Sequence, residues 1–128
     1  MKADRYRYDD HDRPDLRDLP THAGVDKDCR EEIEEKTAEN IETMKELQDA
    51  LYADGREGIV IVLQAMDAAG KDSTIKHVMS GLNPQGVQVT SFKQPSAEEL
   101  DHDYLWRINR RLPERGNIGI FNRSYYEE

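Results

Sequence analysis

Residues 59–75 read Ile59-Val-Ile-Val-Leu-Gln-Ala-Met-Asp-Ala-Ala-Gly-Lys-Asp-Ser-Thr-Ile75. The β-branched and apolar run from Ile59 to Leu63 predicts a short strand buried on both faces. Small residues follow (Ala65, Ala68, Ala69 and Gly70), and then Lys71. Beyond Lys71 the pattern turns helical, with Ile75, Val78 and Met79 at helical spacing. A strand, a small-residue loop, a lysine and a helix together make a phosphate-holding device. The loop's backbone N–H groups turn inward, the helix N-terminus adds partial positive charge, and the lysine reaches the outer phosphates.

The match to the P-loop pattern G-x-x-x-x-G-K-[ST] is incomplete. Gly70 and Lys71 are in place, whereas Ala65 holds the first glycine position and Asp72 the Ser/Thr position, with Ser73 and Thr74 next. Alone, these letters also describe an ordinary βα turn with a solvent-facing lysine. Asp67 favours the phosphate reading. A carboxylate among phosphate-binding amides is electrostatically wrong unless a divalent cation sits there, so Asp67 points to a Mg²⁺ ligand in place of the usual hydroxyl.

The 128-residue chain is long enough for one small domain. It carries a net charge of −9, spread unevenly. Residues 1–57 hold 18 acids against 10 bases; residues 58–128 hold nine against eight. The acidity therefore lies away from the loop. It argues against general nucleic-acid binding but not against a local polyanion site. No apolar run is long enough for a transmembrane helix, and no membrane partner is expected. The polar N-terminus lacks a signal-peptide core, and the single cysteine, Cys29, fits a reducing cytoplasm.

In chain order, residues 1–27 read as an extended leader, which Tyr6, Tyr8, Leu16 and Leu19 could pin to a neighbouring surface. Residues 28–54 predict a long helix with Ile33, Thr37, Ile41, Met44, Leu47 and Leu51 on one stripe. Asp26 or Asp28 would cap it, and Gly55 follows its end. This helix either packs on the sheet or serves as an interface. The helix after Lys71 is expected to run to about Ser80, with Gly81, Pro84 and Gly86 beyond. Val87 to Phe92 reads as a second strand. Ser96-Ala-Glu-Glu99 is a capping box opening one helix that holds Leu100, Tyr104, Leu105, Ile108 and Leu112, stopped by Pro113. Asn117 to Phe121 is a third strand. This alternation predicts an α/β fold with a parallel sheet and right-handed crossovers.

Ligands of open parallel sheets sit beyond the carboxyl ends of strands. Three segments meet that condition: Ala65 to Lys71, Lys93-Gln-Pro-Ser96 and Asn122-Arg123-Ser124-Tyr125. The last stands where a Walker B segment would end in a metal-binding acid. Asn122 brings a carbonyl without charge, and Arg123 offers paired donors to phosphate. Arg107 shares a helical face with Arg111 at i, i+4 and with Arg110 at i, i+3, as a solvated basic surface or as a track for a long polyanion. Trp106 reads as core.

Four blocks of this sequence resemble the polyphosphate kinase 2 family: residues 64–75, residues 92–100, Tyr104-Leu-Trp-Arg107 and residues 118–127. The resemblance covers roughly residues 28–128. It implies a P-loop kinase fold like that of thymidylate kinase. It also implies Mg²⁺-dependent phosphoryl transfer between inorganic polyphosphate and a nucleotide such as ADP or AMP. By the same resemblance, Asp67 and Asn122 hold the metal, and Asp67, Lys71, Asn122 and Arg123 are catalytic. The loop residues Ala68, Ala69, Gly70, Lys71, Asp72, Ser73 and Thr74 bind phosphate or nucleotide, with Lys93 and Arg107 as further phosphate contacts. A cytoplasmic homo-oligomer is the expected form. Ala65 and Ser73 stand where many members have Gly, and Asn122 where many have Asp. Members also continue into a lid helix pair and further strands. This chain is thus expected to be an N-terminal portion with about three strands, and either an enzyme or a phosphate-binding fragment without turnover.

Overall fold

The computed structural model of the chain describes residues 7, 15, 17–19, 29–66 and 68–124. The leader reading, the Asp26 or Asp28 cap, Asp67 and Tyr125 fall outside these residues, apart from a short turn at 17–19. The chain divides into two units, Met1–Ala38 and Glu39–Glu128. In the first, Arg30 pairs with Glu34 at 2.7 Å, one helical turn on, and the Thr37 hydroxyl donates to the Ile33 carbonyl. The site belongs to the second unit.

The elements are α1 (Arg30–Asp54), β1 (Ile59–Leu63), α2 (Lys71–Val78), β2 (Val87–Ser91), α3 (Ala97–Leu100), α4 (Trp106–Asn109) and β3 (Ile118–Asn122). A 3-10 turn, Pro84–Gly86, leads into β2. The sheet is parallel in the order β1-β3-β2, so the last strand inserts between the first two. Position, more than composition, then sets burial. β3 is buried along its whole length. β1, expected to be buried on both faces, is an edge strand whose Ile59, Val60 and Val62 stay exposed. A second strand covers only one of its sides.

Side chains alternate across β3. Ile118 and Ile120 face a core that includes Leu82 and is completed by Met44 and Leu51 of α1 and Ile75 and Met79 near α2. Full burial of Ile120 or Phe121 is worth about 1.5–3 kcal/mol each. Gly119 and Phe121 share the other face. A Cβ at Gly119 would come within 2.9 Å of the Pro113 ring, so glycine there lets the proline lie against the strand. Phe121 meets Phe92 edge to face at 5.1 Å between ring centroids.

Two sequence expectations change. On α1, Leu47 is exposed and Gln48 is buried in its place. The Gln48 amide donates to the Asn83 carbonyl at 2.9 Å and accepts from the Asn83 N–H at 2.8 Å. A turn with two backbone groups to satisfy recruits an amide rather than a leucine. The single helix expected from Ser96 to Leu112 is instead two short helices. Asp103 breaks it: its Oδ1 accepts from the Leu105 N–H at 3.0 Å and its carbonyl from the Trp106 N–H at 2.8 Å. This local turn competes with the helical ladder.

Candidate phosphate-binding site

The register brings the carboxyl ends of all three strands level. Leu63 and Ser91 both pair with Asn122. Two backbone bonds hold β3 at this point, from the Phe92 N–H to the Asn122 carbonyl and from the Arg123 N–H to the Leu63 carbonyl. The three segments expected to converge therefore share one edge. They form two neighbouring cavities rather than one.

The first cavity, of about 300 Å³, is lined by residues 68–73 with Asn122 and Arg123. The loop is shaped by Ala68 and Gly70, both at positive φ (62° and 89°). Glycine adopts that conformation without steric cost, and alanine carries a strain. Gly70 caps α2, and its carbonyl accepts from both the N–H and the hydroxyl of Thr74 at 2.9 and 3.0 Å. The Thr74 hydroxyl is thus tied into the helix. The Lys71 ammonium folds back over the loop to the carbonyls of Ala65 and Met66, the latter at 3.1 Å. Positive charge thereby sits beside the N-terminus of α2.

Asn122 continues the alternation of Ile118 and Ile120 toward α2, and there it meets Asp72. Its Nδ2 donates to Asp72 Oδ1 at 2.6 Å. It is 9 % exposed, and among the described residues its Oδ1 has no hydrogen-bond partner. Arg123 follows with φ 74°, a left-handed conformation that costs a non-glycine residue about 1–2 kcal/mol.

The second cavity, of about 410 Å³, is lined by Phe92, Lys93, Gln94, Pro95, Leu100, Arg123 and Ser124. Arg123 belongs to both. Ser124, buried, donates to Gln64 Oε1 at 2.7 Å and joins the residues just past β1 and β3. Arg107, expected to contact phosphate, stands on α4. It is 6 % exposed and lines neither cavity. Its guanidinium donates to the Lys93 carbonyl at 2.6 Å, lies 3.5 Å from Glu99 and sits 5.1 Å from the Phe92 ring centroid. It braces the segment that carries Lys93. Arg110 lies over Trp106 at 4.8 Å, and His102 stacks on that ring at 4.0 Å. Trp106 is therefore half-buried beneath two polar groups.

Glu99 completes the capping box of α3, accepting from the Ser96 N–H at 2.8 Å while its own N–H bonds the Ser96 hydroxyl. The Ser96 N–H first, and then the charge of Arg107, hold its carboxyl below the usual carboxylate range, although burial opposes them.

The sequence reading missed the Asp72–Asn122 contact, the Gln64–Ser124 link and the bracing role of Arg107. The first was recoverable from strand parity, which turns residue 122 to the same face as Ile118 and Ile120.

The family model for polyphosphate kinase 2 matches residues 26–128. The chain is 50 % identical to the ADP-polyphosphate phosphotransferase of Rhodopseudomonas palustris over all of its own 128 residues, which are 44 % of that protein. It is 52 % identical over 85 residues to the AMP/ADP-polyphosphate phosphotransferase of Meiothermus ruber, covering 66 % of this chain and 32 % of that one. The chain thus spans less than half the length of these curated relatives. The crystal structure of polyphosphate kinase 2 from Arthrobacter aurescens superposes with a TM-score of 0.68 at 44 % identity, over 71 % of this chain and 34 % of that one. With the family model matching four-fifths of its length and a solved member sharing its fold, the chain belongs to the polyphosphate kinase 2 family.

Proposed function

We propose that this chain carries the phosphate-binding part of a phosphotransferase. That enzyme would move a phosphoryl group between inorganic polyphosphate and a nucleoside mono- or diphosphate such as ADP or AMP, with Mg²⁺. The observation that carries the reading is the pair of cavities meeting at Arg123. One is built from loop amides and Lys71 and suits a phosphate chain. The other has Lys93 beside an apolar floor of Phe92, Pro95 and Leu100, which suits a partly apolar acceptor. The relatives' activities with ADP and AMP support the same substrates.

In the forward direction a terminal P–O bond of polyphosphate breaks as a phosphate oxygen of the acceptor bonds that phosphorus, and the polymer shortens by one unit. The attacking oxygen is already ionised, so no general base is required. The chain's work is to orient the two anions and neutralise their charge. The loop amides and Lys71 would hold one phosphate group. Arg123, at the boundary, would contact the group in transit, and Lys93 the acceptor. Asp67 and Asn122 would supply oxygen donors suited to Mg²⁺. The partnerless buried Oδ1 of Asn122 fits such a site. Bound Mg²⁺ would offset charge on the phosphate oxygens.

The test is ATP formation from ADP, polyphosphate and Mg²⁺, with Lys71→Ala as the control for contaminating kinases. Turnover abolished by Lys71→Ala supports the reading. Mg²⁺-dependent binding of ADP or polyphosphate without turnover identifies a binding fragment. Absence of both rejects the proposal for this chain. No helix among the described residues is long and apolar enough to cross a membrane, and a cytoplasmic homo-oligomer fits this chemistry.

A further inference from the structure

The P-loop hydroxyl position holds Asp72, and the strand-end acid position holds Asn122. These two departures, fifty residues apart, touch: Asn122 Nδ2 donates to Asp72 Oδ1 at 2.6 Å, and both residues line the 300 Å³ cavity. The hydrogen bond fixes the amide's orientation, because the reversed amide would set its oxygen against the carboxylate. It also leaves Asn122 Oδ1 buried without a partner among the described residues, an arrangement that is costly unless it serves a ligand. Asp72, in turn, places a full negative charge in the first turn of α2, in a cavity whose amides and lysine suit anions. A phosphate chain entering there would be repelled unless a cation lay between.

The pair is complementary in one further respect. Two carboxylates at this separation would repel each other, and two amides would carry no charge; one of each gives one anion and one donor that holds it. We infer that Asp72 is a further anionic ligand for the divalent cation of this site and that Asn122 is the residue that positions it. The pair places its negative charge on the first turn of the helix rather than at the strand end. This inference rests on the phosphotransferase reading and adds a residue to it.

The test compares the wild-type chain with Asp72→Asn, Asn122→Asp and the exchange Asp72→Asn/Asn122→Asp. Mn²⁺ binding is followed by electron paramagnetic resonance with Mg²⁺ as competitor, and thermal melts are recorded in EDTA and in Mg²⁺. The expected results are at least tenfold weaker Mn²⁺ binding in Asp72→Asn and recovery to within about threefold of wild type in the exchange. In Asn122→Asp, the melting temperature should fall in EDTA and be restored by Mg²⁺. Asp72→Asn that binds Mn²⁺ like the wild type, or an exchange as weak as Asp72→Asn, overturns the inference and leaves the phosphotransferase reading standing. If Asp72→Asn does not fold, the exchange decides alone. A wild-type chain that binds no Mn²⁺ removes both.

Discussion

Arg123 combines a strained backbone with a shared side chain. At φ 74° it favours glycine, yet its guanidinium is the residue common to both cavities. Function and stability are therefore expected to separate there. Arg123→Gly relieves about 1–2 kcal/mol of left-handed strain and gives back about 0.5–1 kcal/mol of backbone entropy. Its melting temperature should equal or exceed that of the wild type, while phosphoryl transfer, or polyphosphate affinity by fluorescence titration, falls at least tenfold. A variant that loses stability and keeps affinity would refute this assignment. Gln48 presents the opposite case, a buried polar group with no part in the site. Gln48→Leu is more apolar but strands the Asn83 N–H and carbonyl. A loss of about 2–3 kcal/mol in urea unfolding is expected, whereas a leucine that proves neutral would mean that water satisfies the turn.

Among the elements, α3 and α4 are too short to hold their own shape, and their order depends on Glu99. Its carboxylate caps α3 and faces Arg107, which in turn holds the Lys93 carbonyl. The Glu99 carboxyl titrates below its ordinary value. Its contribution is therefore complete above the unfolded carboxylate pKa of about 4.3 and is lost as pH falls through the lower folded value. Trp106, the only tryptophan, lies beside Arg107. Its fluorescence should report loosening of the 93–107 segment below about pH 4.3, and Glu99→Gln should remove that acid transition while an uncharged cap survives. An acid transition unchanged in Glu99→Gln would place its origin elsewhere.

For the whole molecule, the consequence of the order β1-β3-β2 is that both outer strands, β1 and β2, have one unpaired edge within the described sheet. Val60 and Val62 also share the Phe121 face and stay exposed. Exposed apolar edges favour pairing with another chain. The 128-residue chain is expected to associate with rising concentration in sedimentation velocity. Val62→Lys should shift it toward monomer without abolishing the cooperative melt, since the residue is 47 % exposed. A monomer at all concentrations with a sharp, concentration-independent melt would refute this.

The sequence by itself determined the local devices. It showed the strand–loop–Lys71–helix unit, the ends of α1 and α2 near Gly55 and Gly81, the capping box at Ser96, and the parallel α/β class. Each depends on residues within one or two turns of one another, where propensity and hydrogen-bond chemistry decide. The four family blocks were legible for the same reason. Tertiary structure alone decided which strand lies at the centre, and so why β3 is buried while the more apolar β1 is not. It also placed Gln48 in the core instead of Leu47, turned Arg107 inward, and brought Asp72 against Asn122. These outcomes depend on pairings between residues 14 to 59 positions apart. Periodicity along one segment carries no information about which distant groups will need a partner, because that need arises only when the segments pack.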